Sequence, residues 1–228
     1  IIIGGGYIAA EYAHFFSAMG SKVTIIQRSS TMLTGEEPEI AKVVQDKLSQ
    51  RVKVMLNSEP AKVEENKGKK LVTLKTGEAI SAEKLFIATG RTSNADSLKV
   101  ENTGVKTDTK GFIKTNEFLE TTKENIWAFG DANGKAMFTH AANEEASLAW
   151  HNAFVHKHSF DYSVVPHAVF TWPPVGSVGL REHDAKDRNL AIGTANYSDV
   201  VKGSALREET GFAKGIFDTD TGEILGFH

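Results

Sequence analysis

The sequence contains no cysteine. That excludes disulfides, thiolate metal sites and a thiol nucleophile within these 228 residues. No apolar run approaches the roughly 18 residues of a membrane span, and no charged segment followed by an apolar one marks a signal peptide. Charge of one sign is not in excess: the formal net charge is -3, which gives no pull toward nucleic acid or an anionic membrane. Basic residues are scattered, with Lys67, Lys69 and Lys70 at a hairpin tip, so no nucleic-acid partner is expected. Internal repeats and low-complexity stretches are absent as well. The hydrophobic fraction, 40%, is that of an ordinary globular protein.

The chain opens directly on Ile1-Ile2-Ile3 and closes on Glu223-Ile224-Leu225-Gly226-Phe227-His228. Both read as buried strands met in mid-course, so truncation at both ends is the expectation.

After Ile1–Ile3 comes Gly4-Gly5-Gly6, then apolar residues at helical spacing from Tyr7 to Met19, with Gly20 as a C-cap. Lys22–Gln27 reads as a second strand. This strand–glycine turn–helix–strand order is the front of a βαβ unit. Further along, Glu36–Ser49 reads as a helix and Val52–Leu56 as a strand. Ala61–Glu65 and Lys70–Leu74 form a hairpin pattern, and Lys84–Ala88 a buried strand. Asn125–Asp131 reads as a strand ending in a Gly-Asp turn and Phe138–Phe154 as a long helix. From Pro166 the pattern turns β-rich, with a short helix expected over Arg181–Arg188.

Gly4-Gly5-Gly6-Tyr7-Ile8-Ala9 fits a dinucleotide fingerprint with alanine in the third glycine place. The first glycine permits the tight turn and the second the approach of a pyrophosphate. The third place needs a small residue so that helix and strand can pack. The free N–H groups and positive end of the helix then face the phosphates. At the end of the second strand, where an NAD site carries an acid, stand Gln27 and Arg28. Neutral Gln27 does not repel a 2′-phosphate, and Arg28 can pair with one, so NADP is favoured with NAD possible.

Four segments in order carry a resemblance: Gly4–Glu11, Ala88-Thr89-Gly90-Arg91-Thr92-Ser93-Asn94, Ile126–Asp131, and Phe170-Thr171-Trp172-Pro173 with Val178-Gly179-Leu180. The chain resembles the class I pyridine nucleotide–disulfide oxidoreductases, the family of dihydrolipoamide dehydrogenase and the glutathione, mercuric and mycothione reductases. The resemblance implies an α/β fold. It would contain a Rossmann-like NAD(P)-binding domain at 1–90, the C-terminal part of an FAD-binding domain at 91–165, and the start of an α+β dimerisation domain at 166–228. It implies that Tyr7 covers a nicotinamide pocket, that Glu11 sits near a flavin, that Gly90 and Arg91 lie against a cofactor, and that Pro60 lies near the adenine. Asp131, after Gly130, would bond the ribityl chain of FAD, with Met137, Phe138, Thr139 and His140 under the flavin ring.

The same resemblance makes the whole protein an enzyme passing electrons between NAD(P)H and a small-molecule or protein-bound disulfide through FAD. A homodimer in the cytoplasm is expected. The redox cysteine pair and the catalytic His–Glu pair of the family are missing here, so no residue is assigned as catalytic beyond Glu11, and weak or absent FAD binding is expected. Dihydrolipoamide dehydrogenase-like is the preferred reading. A mycothione or mercuric reductase-like NADPH enzyme, an apoptosis-inducing-factor-like or NADH-oxidase-like flavoprotein and a non-catalytic nucleotide-binding module are the alternatives. No metal site is expected: His156 and His158 lie two apart on an exposed segment, and His228 reads as a strand histidine.

Overall fold

The computed structural model describes residues 1–207 and 210–228. The chain divides into two compact units, one built from Ile1–Gly90 with Ala168–His228 and the other from Arg91–His167. The fold is α/β, with one parallel sheet and two antiparallel ones.

The first unit begins with β1 (Ile2–Ile3), α1 (Tyr7–Ala18), β2 (Thr24–Ile26), α2 (Pro38–Ser49) and β3 (Lys53–Met55). Next come β4 (Pro60–Asn66), β5 (Lys69–Leu74), β6 (Ala79–Ala82) and β7 (Phe86–Ile87). Strands pair in the order β3-β2-β1-β7, all parallel. Parallel strands covered by helices read as apolar runs, as Ile1–Ile3 and Val23–Ile26 do. α1 packs close because its inward positions are Ala9, Ala10 and Ala13, all fully buried. α2 starts on Pro38, whose missing N–H falls where a helix has no partner for it. Its buried stripe is Ile40, Ala41, Val44 and Leu48, spaced as a helix face demands. β4, β5 and β6 form an antiparallel meander; β6, only Ala-Ile-Ser-Ala, is too short to have announced itself.

The second unit holds one long helix, α3 (Thr139–Phe154). The expected strand over 125–131 does not form. Glu120 and Trp127 make an isolated antiparallel bridge, and Gly130–Ala132 is a 3-10 turn. Left-handed Leu119 and Asn125 break the ladder on both sides of the turn, so the apolar run, of which only Ala128 and Gly130 are buried, does not become a strand.

The rest of the chain gives β8 (His167–Val169), β9 (Val175–Gly179), β10 (Leu190–Asn196), α4 (Val201–Leu206), β11 (Phe212–Asp218) and β12 (Ile224–Phe227). They pair as β10-β11-β12-β9-β8. The helix expected over 181–188 shrinks to a 3-10 turn at Glu182–Ala185. β10 and α4 were not visible in the sequence pattern: β10 is mostly exposed and α4 buries only Gly203. Among the described residues no helix is long and apolar enough to cross a membrane.

Candidate functional site

In the first unit, the turn Gly4-Gly5-Gly6 joins β1 to α1. Gly4 has φ +116°, and a Cβ there would stand 2.2 Å from the Ala88 carbonyl oxygen. Its N–H donates to Ile26 O at 2.9 Å. Gly5 is required by a different neighbour: a Cβ would meet the Gln27 side chain at 2.7 Å. At Gly6 a Cβ would meet nothing, because that face is open. No side chain caps α1 and no acid stands in its first turn, so the N–H groups beginning at Tyr7, Ile8 and Ala9 point out of an uncapped positive helix end. The turn is therefore tight on two sides and open on the third, which is the shape a pyrophosphate needs.

Gln27 is buried against this turn, and its Nε2 donates to Thr31 O at 3.2 Å. Arg28, the next residue, is exposed. Ser58 N–H donates to Gln27 O, which places Pro60 two residues from the edge that carries Gln27 and Arg28. Gly90, with φ +126°, ends the segment after β7. Glu11 accepts a hydrogen bond from Phe170 N–H at 2.9 Å. Gly4→Ala is expected to weaken nucleotide binding at least about tenfold. Either Ala88 or the turn must shift to admit the methyl, and a left-handed L-residue adds about 1–2 kcal/mol of strain. Calorimetric titration with NADPH checks this.

In the second unit, Arg91 Nη1 donates to Asp131 Oδ2 at 2.8 Å and to Met137 O at 3.1 Å. These three residues line one wall of a cavity of about 550 Å³, together with Asn94, Phe112 and Ile113. Phe138 stacks on His140 and on His167, and His140 Nε2 lies 2.6 Å from Pro166 O. α3 starts at Thr139 with no side-chain cap and no acid in its first turn.

Residues that sequence reasoning missed hold this turn. Glu145, fully buried at 0% exposure, accepts hydrogen bonds from Gly130 N–H, from Asn133 Nδ2 at 3.3 Å and from Tyr162 OH at 2.5 Å. Burial, and then the Glu145 carboxylate, push the Tyr162 hydroxyl well above its ordinary pKa. A mid-helix Glu in an alanine-rich stretch gives no signal of this; its six-residue neighbourhood looks like a solvated face.

A second unforeseen cluster lies in the first unit. Lys214, 4% exposed in its side chain, donates to Glu37 and Glu182 at 2.8 Å and to Glu39 at 3.2 Å. Glu37 also accepts Glu182 N–H at 2.6 Å. The run Arg181–Asp184 is largely exposed, as its composition suggests, yet Glu182 within it reaches Lys214. Desolvation pushes Lys214 down, but its bonds to Glu182, Glu37 and Glu39 more than reverse this, and its pKa is raised. Among the described residues Glu37, Glu39 and Glu182 are the three whose ligand atoms converge within 4.8 Å, and the Lys214 ammonium already fills that role of cation. His228, buried with Nε2 3.1 Å from Leu180 O, is a structural residue of the sheet end.

Residues 1–146 match the family described as pyridine nucleotide-disulphide oxidoreductase, and residues 165–228 match its dimerisation domain. The chain belongs to that family. It is 34% identical over 252 residues to a dihydrolipoyl dehydrogenase of Synechocystis, covering all of this chain and 52% of the relative. A mercuric reductase of Staphylococcus aureus is 32% identical, with all of this chain and 43% of the relative covered. A mycothione reductase of Mycobacterium tuberculosis is 32% identical, with all of this chain and 51% of the relative covered. The chain therefore spans about half the length of the curated relatives it matches. Among solved structures it is similar to the HOCl-induced flavoprotein disulfide reductase RclA from Escherichia coli, at 29% identity and TM-score 0.90, over 99% of this chain and 53% of that one.

Proposed function

We propose that this chain is the nicotinamide-nucleotide part, with the returning flavin part, of an oxidoreductase resembling dihydrolipoyl dehydrogenase. As a whole protein it would pass electrons between NAD(P)H and a disulfide or dithiol by way of FAD. The observation that carries this reading is the glycine turn, closed against Ala88 O and Gln27 and open at Gly6 beneath an uncapped helix end. Within this assignment 1–90 is the NAD(P) domain, 91–165 the returning flavin domain and 166–228 the start of a dimerisation domain that makes a homodimer in the cytoplasm.

Gly4, Gly5, Gly6, Tyr7, Ile8 and Ala9 would hold the nucleotide pyrophosphate through backbone N–H groups. Gln27 and Arg28 would take the adenosine ribose and its 2′-phosphate, with Pro60 near the adenine and Gly90 along the nucleotide. Asp131 and the start of α3 fit a flavin: an acceptor stands at the turn and an uncompensated positive helix end beside it. When bound, FAD supplies the electron relay between a two-electron hydride donor and a disulfide. The residues of this chain would hold it: Asp131 as acceptor, Arg91 holding Asp131, and Met137, Phe138, Thr139 and His140 at the start of α3. Glu11 is the one candidate near the redox centre.

The chain has no thiol, so dithiol exchange cannot be run on its own residues. That same absence favours a second reading, a nucleotide-binding module without turnover. The test is titration of the chain with NADPH, NADH and FAD. NADPH should bind more tightly than NADH and FAD only weakly. Arg28→Ala should weaken NADPH about tenfold and leave NADH unchanged, the size of one lost charge-assisted hydrogen bond. Equal loss for both nucleotides would remove the NADP assignment. No binding of either would remove the nucleotide reading altogether. The two readings of turnover separate on whether adding the cysteine-bearing segment of a related reductase restores NADPH-dependent disulfide reduction.

A further inference from the structure

The C-terminal end of α3 carries a feature that the redox reading does not use. His151 lies on the last turn of the helix, and the chain then folds back instead of leaving. His156 N–H donates to His151 O at 3.2 Å. Asn152 clamps the returning segment from both sides: its Oδ1 accepts His158 N–H at 2.7 Å and its Nδ2 donates to His158 O at 3.0 Å. A third bond, from Nδ2 to Phe118 O at 2.8 Å, fixes Asn152 itself. The backbone around His156 and His158 is thus held against the helix end.

The His156 ring lies beside both of the other imidazoles as a result. Ring centroids are 5.9 Å apart for His151 and His156, and 4.3 Å for His156 and His158. With metal–nitrogen bonds of about 2.1 Å and a tetrahedral angle, two ligating imidazoles put their centroids about 5 Å apart. These two separations, His151–His156 and His156–His158, bracket that value, while the three rings' nitrogens do not all lie within 4.8 Å of one another as the rings stand. His151 Nδ1 has no hydrogen-bond partner, so packing alone sets this ring's orientation. His151 and His158 also line a cavity of about 510 Å³ whose other walls include Glu144 and Asp161. Glu144 lies two turns before His151, on the same face of α3.

We propose that His151, His156 and His158 form a binding site for a divalent transition ion of the kind imidazole selects, such as Ni(II) or Zn(II). As they stand the rings meet edge to face, with interplanar angles of 76° and 71°. Closing three nitrogens on one ion takes rotation of His156 and His158, both exposed, over a backbone that is already in place. Sequence spacing hides this site, because two histidines on an exposed segment look unsupported until the fold adds His151. The absence of cysteine leaves no thiolate to compete for the ion.

The experiment is a Ni(II) titration of the full chain read by tryptophan fluorescence, since Trp150 lies 5.4 Å from His151 between ring centroids and a paramagnetic ion there quenches it. Saturable quenching at one ion per chain is expected, lost in Trp150→Phe. His151→Gln, His156→Gln and His158→Gln should each weaken binding at least tenfold, with circular dichroism confirming the fold. His183→Gln, at an exposed histidine elsewhere, should titrate as the unaltered chain does. If any of the three single variants keeps the original affinity, or if quenching does not saturate, the three-histidine site is wrong. Loss of binding in His183→Gln would move it to another place and overturn the proposal equally.

Discussion

Lys214→Met should lower the stability of the unit formed by Ile1–Gly90 and Ala168–His228 by about 3–5 kcal/mol, the usual effect of stranding one partner of a buried ion pair. The reason is Glu37, 1% exposed in its side chain, which loses the ammonium 2.8 Å away and is left buried without it. Glu39 and Glu182 are about half exposed and can turn to water instead. In a domain of this size each kcal/mol moves the thermal midpoint by about 2–4 °C, so a fall of roughly 6–20 °C is expected by differential scanning calorimetry. The double variant Lys214→Met with Glu37→Gln should recover most of the loss, because both buried charges are then gone. A midpoint unchanged in the single variant would mean that the cluster behaves as a surface salt bridge.

The pH dependence of this difference has a definite sign. Lys214 is raised, so its contribution is complete below about 10.4 and is lost only in strong alkali. On the acid side the partners decide. Partial desolvation pushes Glu39 up, yet its backbone hydrogen bond and Lys214 prevail and hold it below the ordinary value. Its contribution is therefore present above about 4.3 and is lost as pH falls through the lowered value. The gap between the original chain and Lys214→Met should be constant at neutral pH and narrow below about pH 4. A gap that widens in acid would contradict the assignment of the cluster.

Glu145→Ala is expected to be the other severe change. It leaves Gly130 N–H, the Asn133 amide and the Tyr162 hydroxyl without their shared acceptor. Each stranded buried donor costs about 1–3 kcal/mol, so a loss of about 3 kcal/mol or more is expected in the unit Arg91–His167. In a unit of this size thermal unfolding should start roughly 12–24 °C lower. Tyr162→Phe removes one bond of the three and should cost only about 1 kcal/mol. The consequence for the site is that Gly130 and Asp131 sit on the turn that Glu145 holds. In the Glu145→Ala chain the Arg91–Asp131 bridge should loosen, seen as faster hydrogen exchange at 130–132. Protection there equal to the original chain would show that the turn stands without its anchor.

These two clusters differ from the glycine turn in how they could have been found. Gly4-Gly5-Gly6 between an apolar strand and an alanine-lined helix announces itself, because Gly4 and Gly5 each answer a local steric demand, the Ala88 carbonyl and the Gln27 side chain, while Gly6 leaves the third face open. Helix and strand periods in the first ninety residues were legible for the same reason, since α1, α2 and the parallel strands each bury one continuous face. The run 125–131 misled because apolar composition does not report pairing, and left-handed Leu119 and Asn125 end the ladder after single bridges. β10 and α4 were silent because they bury almost nothing.

The sequence by itself determined the α/β class, the glycine turn after β1, the Gly130-Asp131 turn and the absence of any thiol. Each follows from residue type and short-range spacing alone. The tertiary structure decided which charges are buried and whom they meet: Lys214 with Glu37 across 177 positions, Glu145 with Tyr162 across 17, His151 with the returning His156 and His158. A charged or imidazole side chain looks the same in a sequence whether it faces water or a partner. Only the folded chain sets the distance and the desolvation that turn it into an anchor or a ligand.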